Sequence, residues 1–148
     1  DISPQTEAGL QTGGLGTTAL AIGSTRASLA ILEQESCQRD TLKPISEELN
    51  REVSSLEAIL FKAATYGIDT QERNLLRQQA NALVTRTSQA TLTASKGAGF
   101  VEGHPIERLI RESMFFLVWS CPQSVSESLL CDFAGIESPA GAASMDTP

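Results

Sequence analysis

The segment Lys43–Gly67, KPISEELNREVSSLEAILFKAATYG, decides the fold class. Leu49, Val53, Leu56, Leu60 and Ala63 follow one another at alternating steps of four and three residues, which puts them on one face of an α-helix. Charged residues, including Glu47, Glu48, Glu52 and Glu57, occupy the positions between them. The pattern is that of an amphipathic helix with one side in a core. Pro44 fits only the first turn of such a helix, and Thr41 can supply the capping oxygen ahead of it. Gly67 suits the left-handed position just past the end.

Toward the C-terminus, Asp69-Thr70-Gln71-Glu72 has the form of a capping box and opens a third helix. Its inner stripe of Leu76, Ala80, Leu83, Thr87, Ala90 and Ala94 is mostly small, which lets neighbouring helices approach closely, and Gly97 is placed to end it. Pro105, with Glu107 nearby, starts a fourth helix that continues through IERLIRESMFFLVWS to Pro122. Its second half, Met114 to Trp119, is apolar all round and is expected either at the centre or under another subunit. Ser124-Val125-Ser126-Glu127 reads as a second capping box for a short fifth helix ending near Gly135.

Toward the N-terminus, Thr17 or Thr18 can cap a first helix running to about Arg39. Leu20, Ala27 and Ile31 lie on one face of it, widened by Ile22, Leu29 and Leu32. Residues 1–16 read as a flexible lead-in, 17–135 as the helical domain and 136–148 as a disordered tail. A chain opening on Asp1 rather than Met is read as a fragment or a processed protein. The expected fold is all-α, an antiparallel four-helix bundle with a short extra C-terminal helix.

Composition agrees. Aromatics make up 5% of the 148 residues, and no strand-length alternating run of Val, Ile and Thr occurs. A formal charge of -7 argues against nucleic acid as a partner, since phosphate binding needs a clustered basic surface. The longest unbroken apolar run, Met114 to Trp119, falls far short of the roughly 20 residues of a membrane span. The expectation is therefore a soluble, cytoplasmic protein. Cys37, Cys121 and Cys131 form neither an even disulfide framework nor a paired metal site, and are expected to be small buried hydrophobes.

Few residues offer chemistry. His104, the one histidine, sits beside Pro105 and reads as a partial helix cap. The carboxylates Glu47, Glu48, Glu52 and Glu57 lack the Glu-x-x-His partner of a helical metal site and read as a solvated acidic face, so no metal ligands are assigned. Arg108 and Arg111 are spaced to pair with Glu112 and Glu107. Gly97-Ala98-Gly99 is a turn between helices, not the strand-to-helix context of a dinucleotide site.

Lys96-Gly97-Ala98-Gly99-Phe100, followed by His104-Pro105-Ile106-Glu107-Arg108 and Arg111-Glu112, resembles the glycine turn and Pro-started helix of the C-terminal domain of acyl-CoA dehydrogenases. The likeness in order of features runs from about Thr18 to Leu130. The resemblance implies a homo-oligomeric flavoprotein that removes two hydrogens from an acyl-CoA thioester and passes a hydride to FAD. It gives Gly97 and Gly99 a contact role toward a neighbouring subunit's flavin, and makes Arg39 the shifted counterpart of a pyrophosphate-contacting arginine. That family's N-terminal helical and middle β-domains have no counterpart here.

The match also departs from the family. Aligned from Pro105, the place of the general base falls on Trp119-Ser120-Cys121, and serine does not abstract an α-proton as a carboxylate does. Members that carry the base on the first helix of this domain match a region near Gly16, again without an acid; Glu7 is the nearest carboxylate upstream. No catalytic residue is assigned. The alternative is a non-catalytic helical interaction or oligomerisation module that uses Phe115 to Trp119. Thiol chemistry at Cys121 is a third reading, with little help from a helix end that precedes Pro122.

Overall fold

The computed structural model describes residues 14–119 and 121–137, and these are helical throughout with no strand among them. Helix α1 spans Leu15–Ser36, α2 Lys43–Tyr66, α3 Thr70–Ser95, α4 Pro105–Phe115 and α5 Gln123–Ala134. Short 3-10 turns at Asp40–Leu42 and Lys96–Phe100 link α1 to α2 and α3 toward α4. Helices α1 and α3 form the central pair, each touching both α2 and α4, while α5 packs on α3. The expected lead-in before residue 14 and the tail after residue 137 lie outside the described residues.

Helix α2 follows its sequence pattern. Leu49, Val53, Leu56 and Ala63 are buried and Leu60 is partly buried against the same core. Thr41 does not cap it. Residues 40–42 wind into a 3-10 turn, so Leu42 becomes the cap residue with no side-chain bond, and Pro44 sits in the first turn. Gly67 does end the helix, but with φ +76 and ψ 163. That is the extended positive-φ region open essentially to glycine alone, rather than the left-handed helical one.

Helix α1 departs further from its expected form. It begins at Leu15 behind Gly14, with no side-chain cap, and ends at Ser36. Thr18, expected as a cap, is instead fully buried. The inward face is Thr18, Ala21, Ile22, Thr25, Ser28, Leu29, Leu32 and Ser36, whereas Leu20 and Ala27 point outward. The hydroxyl of Thr25 returns a bond to the Ala21 carbonyl at 2.8 Å, and the Thr91 hydroxyl of α3 donates to the Ser28 carbonyl at 3.0 Å. The Thr25 and Ser36 hydroxyls are satisfied by carbonyls within the helix, at little cost in burial, whereas those of Thr18 and Ser28 have no partner among the described residues; the small size of all four lets two backbones approach. Of the six positions the hydrophobic count selects, Ile22, Leu29 and Leu32 face the core, Ile31 is half-buried, and Leu20 and Ala27 lie outside. By length and composition α1 is also apolar enough to cross a membrane, and its packing against α3 gives that apolar character an internal use.

The capping box of α3 forms as expected. The Glu72 N–H donates to Asp69 Oδ1 at 2.8 Å, and the Asp69 N–H donates to Glu72 Oε2 at 3.3 Å. Leu76, Ala80, Leu83, Thr87 and Ala94 are buried and Ala90 is partly buried. The C-terminal end differs, because Gly97 does not take the turning position. Lys96 does, with φ +53 and ψ -142, the one non-glycine residue at positive φ among those described. The turn is pinned instead at Gly99, where a Cβ would stand 2.5 Å from Leu92 Cδ1 and 3.2 Å from Ile106 Cγ2. A close approach, not backbone freedom at Gly97, is what this glycine turn supplies.

Helix α4 stops at Phe115, well before Pro122, and residues Phe116–Trp119 continue as turns. Only Phe116 of the run Met114 to Trp119 is buried; Val118 is 78% and Trp119 57% exposed, so this segment is not central. The expected Ser124–Glu127 capping box is absent: Pro122 is the cap residue of α5, and Glu127 accepts from Gln123 Nε2 at 2.8 Å. Gly135 ends α5 as expected.

Charge ties α1 to α2. Arg26 donates from Nε and Nη2 to the two carboxylate oxygens of Glu57, at 2.7 and 2.6 Å, and reaches Ser54 and Asn50 on the same helix. Glu52 pairs with Arg86 of α3. The carboxylates of α2 are thus more than a solvated face. The bond from Arg26 holds the Glu57 carboxyl below its usual range against an opposing effect of burial. A lowered folded value means stability that is present above the ordinary glutamate range and is lost as pH falls through the folded value. Glu57→Gln should therefore cost about 0.5–1 kcal/mol in urea unfolding at neutral pH, a figure discounted for partial solvent screening. Wild type and variant should converge once pH drops below the folded value; an equal gap at both ends would rule out the clamp.

Candidate functional site

Beside its apolar stripe, α3 carries a second one shifted by a single residue: Arg77, Asn81, Val84, Ser88, Thr91 and Ser95, all buried. Apart from Val84 these are polar. Arg77 is 1% exposed and Asn81 fully buried. Arg77 Nε donates to Asn81 Oδ1 at 3.1 Å, one helical turn on, and Nη2 donates to the Trp119 carbonyl at 3.1 Å. Asn81 Nδ2 donates to the Phe116 carbonyl at 2.8 Å and lies 4.0 Å from Cys121 Sγ.

These bonds explain why α4 ends where it does. The carbonyls beyond a helix end need donors, and here two side chains of α3 supply them. The apolar composition of Met114 to Trp119 favours helix; the polar pair on α3 overrides it. Further along the seam, the hydroxyls of Ser88 and Ser113 stand 2.9 Å apart and join α3 to α4.

Arg77 Nη1 has no hydrogen-bond partner, and no carboxylate forms an ion pair with Arg77 among the described residues. Burial pushes the guanidinium below its ordinary range, and the neighbouring Cys121 acts in the opposite direction. A buried cation that lacks a counter-charge is costly unless backbone dipoles or an anion compensate it. The arrangement can hold a small anionic group beside Cys121.

A groove of about 400 Å³ lies between α1 and α4, lined by Leu20, Ser24, Arg111, Glu112, Phe115 and Phe116. The Phe115 ring stacks on Trp119 at 5.1 Å and 20°, and meets Phe116 edge-on at 6.0 Å and 83°. The rim charges are neutralised locally, Arg111 by Glu107 at 2.8 Å and Glu112 by Arg108 at 3.3 Å, the pairing their spacing implies.

The residues singled out by the family likeness lie at one end of the molecule. Arg39 bonds Glu35 at 2.8 Å and also the carbonyl of Ala94, shortly before the turn that holds Gly97 and Gly99. Gly97 is exposed with open space around it, while Gly99 is buried under Leu92 and Ile106. Of the three positions, Arg39 is engaged by Glu35 and the Ala94 carbonyl, Gly97 is exposed and Gly99 is turned inward. His104 caps α4, its Nδ1 accepting from the Ile106 N–H at 3.3 Å. The cysteines are not buried: Cys37 is exposed, and Cys121 and Cys131 are half-buried. Cys37 lies just past the end of α1, beyond the reach of its packed face.

Arg77 and Asn81 are absent from the candidates that the sequence offered. Their signal is the repeat of the four-and-three spacing one position over, which hydrophobicity alone does not score. Comparison with family models, with curated proteins and with solved structures gives no match for this chain.

Asn81→Ala removes the acceptor for Arg77 Nε and the donor for the Phe116 carbonyl together. It should lower the unfolding free energy by about 2–3 kcal/mol in urea titration. A loss under about 0.5 kcal/mol, the size of an ordinary surface substitution, would show that the pair does not hold the segment.

Proposed function

We propose that this chain is a non-catalytic helical module that associates with a second copy of itself through the groove between α1 and α4. The carrying observation is the exposed apolar surface around that groove: Leu20 at 65%, Met114 at 41%, Phe115 at 45%, Val118 at 78% and Trp119 at 57% exposure. Monomeric soluble proteins rarely leave a large contiguous apolar patch uncovered. One copy carries both the cleft and, stacked on its Phe115 wall, an exposed Trp119, so the same patch on two copies can meet as a two-fold interface requires. The locally paired rim charges leave no excess of either sign to oppose such a contact. In this reading α1 to α4 make an antiparallel bundle, with α5 as an accessory helix on α3.

A second reading, the C-terminal domain of an acyl-CoA dehydrogenase-like flavoprotein, is favoured by the meeting of Arg39 with the end of α3 beside Gly97. It needs FAD and an acyl-CoA thioester bound largely by other domains, and a base supplied from outside Trp119-Ser120-Cys121.

Light scattering on a sizing column distinguishes the two. Self-association gives a mass about twice 15.8 kDa, and Phe115→Asp or Trp119→Asp returns it to the monomer with helical circular dichroism intact. A wild-type chain that stays monomeric at high concentration would overturn the proposal. Quenching of FAD fluorescence on addition of the chain would favour the flavoprotein reading instead.

A further inference from the structure

We infer that Cys121 is a site of reversible oxidation, with Asn81 and Arg77 as a preformed receptor for the oxygen it gains. Cys121 is half-buried, so a small oxidant reaches its sulfur. Asn81 Nδ2 donates a long hydrogen bond to Sγ, at 4.0 Å, so one donor already points at the sulfur. The second donor is Arg77 Nη1, which belongs to a side chain 1% exposed and has no partner. Its orientation is fixed, because Nε and Nη2 are held by Asn81 and the Trp119 carbonyl.

The chemistry is that of a thiol with hydrogen peroxide. The Cys121 sulfur attacks one peroxide oxygen; the S–O bond forms as the O–O bond breaks, and the departing hydroxide leaves as water with the thiol proton. Sulfur gives up two electrons and the peroxide gains them. The product is a sulfenic acid, reducible by thiols. A thiol is a weak acceptor for these donors; once the sulfenic acid gives its proton to water, the sulfenate oxygen is a charged acceptor and takes both. Burial depresses the Arg77 pKa and Cys121 is the group that raises it, so the sulfur lies within Coulombic reach of the guanidinium. Oxidation thereby supplies the counter-charge that Arg77 lacks and fastens the segment after α4 to α3.

The test exposes the full chain to hydrogen peroxide in the presence of dimedone, which traps sulfenic acids, and reads each cysteine by peptide mass spectrometry. Cys121 should accumulate about tenfold more adduct than Cys131, equally half-buried, and more than the exposed Cys37, as expected for a product held by charge-assisted bonds. Arg77→Met should bring Cys121 down to the level of Cys131 and leave the other two cysteines unchanged. Equal labelling of all three in the wild type, or an undiminished excess at Cys121 in Arg77→Met, would overturn the inference. If Arg77→Met loses its helical circular dichroism, the wild-type ratio decides alone.

Discussion

Arg77 carries a charge into the interior with no carboxylate to meet it among the described residues, and backbone oxygen is supplied instead. That requirement reaches outward in two directions. Along α3 it recruits Asn81, whose amide turns the guanidinium and binds the Phe116 carbonyl. Across to α4 it captures the chain just where the helix ends, so that Phe116 is drawn inward while Trp119 stays at the surface. Removing a buried polar group from such a network leaves its partners unpaired, which is why these contacts constrain the fold more than their number implies.

The same helix sets the spacing of the others. Its apolar stripe faces the core of Leu29, Leu32, Val53 and Leu56, and its hydroxyl stripe lets α1 and α4 approach through Ser28 and Ser113. Helix α1 answers with small residues of its own, which brings the central pair together and leaves Leu20 outside. The groove beside Leu20 and the aromatic surface at Phe115 and Trp119 are then consequences of the seam. A bundle packed through large side chains on both faces of α1 would have no such cleft. Function on this account is built where the polar interior forces apolar side chains out.

How much of this is legible in the sequence depends on which force places each residue. The α2 stripe and the Asp69–Glu72 cap are local, and spacing alone reveals them. The inward face of α1 is legible only in part: Ile22, Leu29 and Leu32 are placed by their hydrophobicity, while the buried Thr18, Thr25, Ser28 and Ser36 count as polar on any scale. The ends of α3 and α4 are misread for a tertiary reason. Gly99 packs closely under Leu92 and Ile106, Lys96 takes the positive φ at the end of α3, and donors on α3 meet the carbonyls at the α4 end. The family likeness rests on the turn and on the Pro105 helix start. Those features say how helices join; Arg111 and Glu112 reach the rim of the groove, while the Arg77 cluster lies on α3.

Native-state hydrogen exchange measures this dependence most directly. Proteins open in cooperative units, and the amides that exchange only on global unfolding mark the element on which the others rest. The α3 amides from Arg77 to Thr91 should be among the slowest in the molecule and should share the free energy of global unfolding, with α5 and the outer turns of α2 opening sooner. If α3 exchanges by a local opening well below the global value while α2 remains protected, the buried seam is not what holds the structure together.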